Sequence, residues 1–141
     1  MKIKKITFFI AICFFTSLVF AANQSLHYKP KIVTLTGIIK IKTFPGAPNY
    51  ESVELGDDLE PCPYLILDHP IDVIVSPKDQ DPNAEPEKNL KIIQIAPQSN
   101  SNWNEKYVGK HVYVTGTLYH AIFGHHHTKV LISANYFKLV K

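Results

Sequence analysis

The chain has 141 residues, with 15 lysines, no arginine, 12 acidic residues, seven histidines and two cysteines. Its formal charge of +3 comes from the extreme N-terminus: Lys2, Lys4 and Lys5 precede Ala21 while every acidic residue follows it, which leaves 12 lysines against 12 acids. A neutral chain without arginine offers neither a basic stripe nor the bidentate fork suited to phosphate, and this argues against a nucleic-acid binder.

Lys2, Lys4 and Lys5, the apolar run from Ile6 to Phe20, and the small residues Val19 and Ala21 supply the three parts of a secretory signal peptide. Residues 1–21 are therefore expected to be cleaved after Ala21, because the run is short of the roughly 20 apolar residues of a membrane span. No stable membrane anchor should remain, and the destination is periplasmic or extracellular. Cys13 is rejected as a lipidation site: Ile12 precedes it where a small residue is wanted, and the apolar run continues past it. The remainder, about 120 residues, suffices for one domain with its own core. Cys62 is its only cysteine, so no intrachain disulfide is expected; between Pro61 and Pro63 it should sit buried at a strand start.

Residues 22–31 are polar and read as a flexible leader before a single domain over 32–141. Ile32 to Lys42 is β-branched and alternating, hence a strand. Val33, Leu35, Ile39 and Ile41 share its inward face. Gly37 at its middle predicts a bulge or bend that lets one long strand serve both halves of a closed barrel. A turn-rich loop over 43–49 and an acidic, irregular stretch over 51–60 follow. Tyr64 to Leu67 is a second strand, with Ile71 to Val75 either a third or its continuation past a kink. The Pro- and charge-rich segment 77–89 is too polar to pack. Its Asp79, Asp81 and Asn83 imitate a calcium loop, but Ala84 and Leu90 stand where the turn glycine and the bidentate Glu belong.

Leu90 to Ile95 returns as a strand, and residues 99–107 predict one or two helical turns capped by Ser101 or Asn102. Residues 107–133 then write a strand pair with a histidine-rich connection. Together these elements predict a mainly β protein, a small OB-fold-like Greek-key barrel of five to six strands with one short helix.

Two candidate sites lie on that last ribbon. Alternation places Val112, Val114 and Leu118 inward, with Val130, Ile132 and Ala134 on the returning strand. The outward stripe His111, Tyr113, Thr115, Thr117 and Tyr119 joins aromatics to hydroxyls, as a surface for a sugar ring, a small ligand or an extended peptide of an envelope protein would. Four histidines, His120, His125, His126 and His127, fall within eight residues. If the strands persist, His125 and His127 stand about 7 Å apart on one face, and His120 meets His126 across the hairpin near 5 Å. Either pair suits Zn²⁺ or Cu²⁺, although no Asp or Glu after Glu105 supplies a nearby orienting carboxylate. G-x-S-x-G, H-E-x-x-H and P-loop signatures are absent. A thiol between two prolines does not make Cys62 a nucleophile.

The stretches P-C-P-Y-L-I-L-D-H-P-I-D-V and Y-V-G-K-H-V-Y-V-T-G-T-L-Y-H through G-H-H-H-T-K-V-L-I resemble a family of small exported bacterial proteins catalogued only as a domain of unknown function. The resemblance covers Pro61 to Ser133. It implies an envelope location and a β-rich domain, and it maps the family's histidines onto His120, His125, His126 and His127 without assigning them a metal. The leading expectation is a non-enzymatic ligand- or partner-binding domain. The alternative is a zinc- or copper-binding protein, or a metal-dependent hydrolase, built on the histidine loop.

Overall fold

The computed structural model describes residues 22–141; the expected signal segment, Cys13 included, lies outside them. Six strands follow in order: β1 (Gln24–His27), β2 (Ile32–Pro45), β3 (Leu59–Ile74), β4 (Glu87–Pro97), β5 (His111–His120) and β6 (Val130–Leu139). Antiparallel ladders join β2 to β3, β3 to β4, β6 to β5 and β5 back to β2, while β4 runs parallel to β6. The ring β2–β3–β4–β6–β5 is therefore closed. One parallel pair inside an otherwise antiparallel five-stranded ring gives the OB-fold barrel anticipated from the sequence.

Gly37 makes the closure possible. Ile32 to Ile38 pair with β5 and Gly37 to Pro45 pair with β3, so Gly37 faces Val112 on one side and Leu67 on the other. A Cβ here would stand 2.0 Å from the carbonyl oxygen of Ile66. Gly116 plays the same part between β5 and β6, where a Cβ would lie 2.1 Å from the Ser133 carbonyl oxygen. Beside it the register slips between Thr115 and Gly116, leaving Asn135 as the bulged residue.

Alternation fills the interior. Val33, Leu35, Ile39, Val112, Val114, Leu118, Val130, Ile132 and Ala134 are buried there with Leu65, Ile93, Ile95 and Phe137. Each large aliphatic side chain so buried contributes about 1.5–3 kcal/mol. Ile41 departs from the expectation and is 45% exposed; β2 has run past the end of the barrel there.

Other expectations need correction. Residues 22–31 are not a loose leader: β1 adds a sixth strand parallel to the far end of β3, Gln24 to His27 beside Ile71 to Ile74. Tyr28 is fully buried and donates its hydroxyl to the Glu85 carbonyl at 2.6 Å. The Lys29 N–H reaches the Leu118 carbonyl at 2.8 Å. The segment is held because β3 has an open edge there, information that a polar composition does not contain. β3 is one continuous strand, with its β4 pairing irregular between Ile66 and Ile71.

The proline-rich excursion also packs. Asp81 is buried and Ala84 lies against the core. Asp81 accepts the N–H groups of Asn83 and His120, and Asp79 accepts that of Ser76, so the carboxylates brace the loop itself. The short helix is a single 3-10 turn, Glu105–Tyr107, capped by Asn104. Asn102 instead pairs in both directions with the backbone of Phe137, at 2.7 and 2.8 Å.

Replacing Gly37 or Gly116 by Ala should each lower stability by about 2–3 kcal/mol, the cost of forcing two closely packed strands apart around the added methyl. Urea unfolding checks this, and a loss below about 0.5 kcal/mol would contradict the close approach.

Candidate functional site

The connection between β5 and β6, residues 121–129, does not project into solvent as an open hairpin loop. It folds back over the outer face of the sheet. The row Tyr64, Gln94, Leu131 and Tyr119 crosses that face from β3 through β4 and β6 to β5. Leu131 and Cys62 are buried yet stand apart from the interior cluster. Leu131 lies between inward Val130 and Ile132, and Cys62 is three residues from inward Leu65, so both face outward and are covered from outside.

Gln94 fastens the cover. Its side-chain oxygen accepts the His127 N–H at 2.6 Å and its amide donates to the His125 carbonyl at 2.9 Å. Its backbone N–H goes to Thr128 Oγ1 at 2.9 Å, and that hydroxyl donates to the Val130 carbonyl at 2.7 Å. At 7% exposure Gln94 would be costly to bury without these partners.

The four histidines are consequently divided: His125 and His126 stay edge-on to each other, 4.6 Å between ring centroids, while His120 and His127 take separate partners. His126 turns inward on its own loop: Nδ1 accepts the N–H groups of Ile122 at 3.0 Å and Phe123 at 3.3 Å, and its ring meets Tyr119 edge-on at 5.5 Å. Burial, with His125 and His127 as like-charged neighbours, lowers its pKa. His125 is exposed and stacks on Phe123 at 5.7 Å, with Tyr50 6.3 Å away. His120 goes to the opposite flank, 3.4 Å from Glu87 and edge-on to Tyr28 at 6.3 Å. The Glu87 carboxyl is raised by burial, but hydrogen bonds from Lys129 and His120 outweigh this and leave it below the usual carboxylate range. His127 lies against the start of β3, 3.3 Å from Glu60, and stacks on Phe44 at 3.9 Å with only 3° between the rings.

β5 ends at His120 and β6 begins at Val130, so the strand alternation behind both histidine pairings does not run through residues 121–129. Two groups of potential ligands exist instead among the described residues: Glu60, Cys62 and His127, and Glu85, Glu87 and His120. Their carboxylates come from β3, β4 and the segment just before β4, distant in sequence, and so escaped a search confined to the ribbon. Burial, followed by the proximity of Glu60, pushes the Cys62 thiol up to about 11.

The neighbouring loop between β2 and β3 is equally ordered. Buried Asp57 accepts the backbone N–H groups of Asn49, Glu51 and Ser52 at 2.8 to 2.9 Å. Tyr50 packs against the backbone of Gly124, where a Cβ would stand 2.7 Å from the ring.

The outward stripe on β5 is continuous. His111 and Tyr113 are exposed, and Thr115, Thr117 and Tyr119 are half-buried. His111 Nε2 lies 2.7 Å from Asp68, and the hydroxyls of Thr115 and Thr34 pair at 2.9 Å. Tyr113 stands opposite Thr36. Burial raises the pKa of Tyr119. The β1 edge and the outer face of β2 and β3 enclose a cleft of about 650 Å³, with Asn23, Thr34, Thr36, Asp68 and His69 among its lining. Asp68, Thr34 and Thr36 thus join the cleft to the stripe. Sequence reasoning missed the cleft, because β1 forms one wall.

Residues 92–135 match a family model described as Domain of unknown function (DUF4431). The matched span runs from β4 through most of β6 and takes in Gln94, the stripe, and His120, His125, His126 and His127. It starts downstream of the P-C-P-Y-L-I-L-D-H-P-I-D-V stretch. No curated protein and no solved structure matches the chain.

The Glu51 N–H foremost, with those of Asn49 and Ser52, outweighs burial and holds the Asp57 carboxyl below its ordinary range. Its stabilising effect on the loop is present above the ordinary aspartate value and is lost as pH falls through the depressed folded-state value. The amide resonances of Asn49, Glu51 and Ser52 should titrate together with a midpoint below about 3.9. A midpoint at or above that value would contradict the arrangement.

Proposed function

We propose that this chain is an exported, non-enzymatic barrel that binds a hydroxyl-rich ligand of the glycan class at the cleft between β1, β2 and β3, with the β5 stripe as its rim. The cleft carries the reading. Its volume falls in the range of ligand sites, and its polar lining of Thr34, Thr36, Asp68, His69 and Asn23 offers donors and acceptors. Tyr113, 39% exposed beside Thr36, supplies a ring face at its border. Barrels of this topology bind oligosaccharides, and the strands and loops that commonly do so here are partly sealed by residues 121–129, which displaces the open surface to β2 and β5. The neutral balance of Lys against Asp and Glu after Ala21 suits an uncharged ligand better than nucleic acid. The signal-like first 21 residues support a site of action outside the cytoplasm.

Calorimetry with soluble envelope glycan fragments tests the reading. Saturable binding is expected, weakened at least tenfold (about 1.4 kcal/mol) by Tyr113→Ala and by Asp68→Ala, with no turnover of the fragments. Equal affinity in the variants, cleavage of the glycan, or no binding by any fragment would overturn it.

A further inference from the structure

We propose that Glu60, Cys62 and His127 form a zinc site on the outer face of the barrel, beneath the loop that joins β5 to β6. One ligand atom from each residue lies within 4.8 Å of the other two. Glu60 and Cys62 are two apart on β3, the spacing that sets a carboxylate and a thiol on one face of a strand. His127 arrives from above, on the loop that Gln94 fastens to the sheet. The 3.3 Å between Glu60 Oε2 and His127 Nε2 is long for a hydrogen bond. Two such ligands, each about 2.1 Å from a tetrahedral zinc, stand roughly 3.4 Å apart.

The imidazole is held in advance of any ion. Its ring lies flat on Phe44 and its backbone N–H is taken by Gln94. Its side chain is only 10% exposed. Cys62 is buried without belonging to the interior cluster, so packing of the barrel does not account for it. One sulfur, one nitrogen and one carboxylate oxygen favour a borderline ion over Ca²⁺ or Mg²⁺, and three protein ligands leave a fourth position for water or a small ligand. The group at Glu85, Glu87 and His120 is the weaker claim: it lacks sulfur, Glu85 is exposed, and the second Glu87 oxygen is held by Lys129 at 2.9 Å. Of His120, His125, His126 and His127, only His127 takes part.

Zinc K-edge absorption on the purified, reduced wild-type protein tests the assignment without any substitution; the expected shell contains one sulfur with nitrogen and oxygen. Cobalt loading should give tetrahedral bands with thiolate charge transfer. Cys62→Ser and His127→Gln should weaken zinc binding on the order of 100-fold or more and Glu60→Gln about tenfold, with the far-UV spectrum unchanged. His120→Gln, His125→Gln and His126→Gln should bind as the wild type does. A shell without sulfur, unchanged affinity in Cys62→Ser, or loss confined to the other three histidines would overturn the assignment. The glycan reading stands or falls separately, since Tyr113→Ala and Asp68→Ala should leave zinc affinity untouched.

Discussion

The carboxamide of Gln94 decides what the histidine-rich connection becomes. A primary amide has one strong acceptor and two donors, and here the acceptor and one donor are spent on two residues of the same loop, the His127 N–H and the His125 carbonyl. Gln94 projects from the outer face of β4, so those bonds draw residues 121–129 down over the sheet. Without them the loop would lose its anchor and leave a buried amide unpaired, a penalty of about 1–3 kcal/mol. The covering of Cys62 and Leu131, and the turning of His127 away from the edge-on pair His125 and His126, follow from this one contact.

Barrel closure sets where that contact occurs. Because Gly37 lets β2 turn from β5 to β3, the sheet curls until β4 meets β6 in parallel. That pairing puts Gln94 beside Leu131, at the foot of the loop. The start of β3 is then near enough for Glu60 to meet His127, residues separated by 67 positions in the chain. The opposite end of β3 recruits β1, whose addition builds the wall of the cleft. The two proposed sites thus occupy different ends of one long strand.

The strands were legible because period-two alternation records which face is buried, and Val112, Val114, Leu118, Val130, Ile132 and Ala134 all lie inward as read. Gly37 was legible as a bend for the same reason: glycine inside a β-branched run has no packing purpose of its own. The local pattern held nothing about tertiary partners. Nothing in the polar stretch around Gln24 shows that an open strand edge awaits it, and extending strand alternation through His127 ignored that a loop can reverse. Gln94 gave no sign either, since alternation in I-I-Q-I sets it on the outer face with exposed Ile92, where an amide is ordinarily solvated. Nor did Glu60 and Glu87, because carboxylates in loop-like, proline-rich surroundings are ordinarily solvated.

Long-range ¹H–¹⁵N spectra of the imidazole nitrogens test the folded-back loop most directly. His126 should appear as the tautomer protonated on Nε2, since its Nδ1 accepts two backbone N–H groups, and His120, His125 and His127 should give separate, distinct patterns. Four histidines with one averaged set of nitrogen shifts would mean an open, solvated loop and would contradict the account.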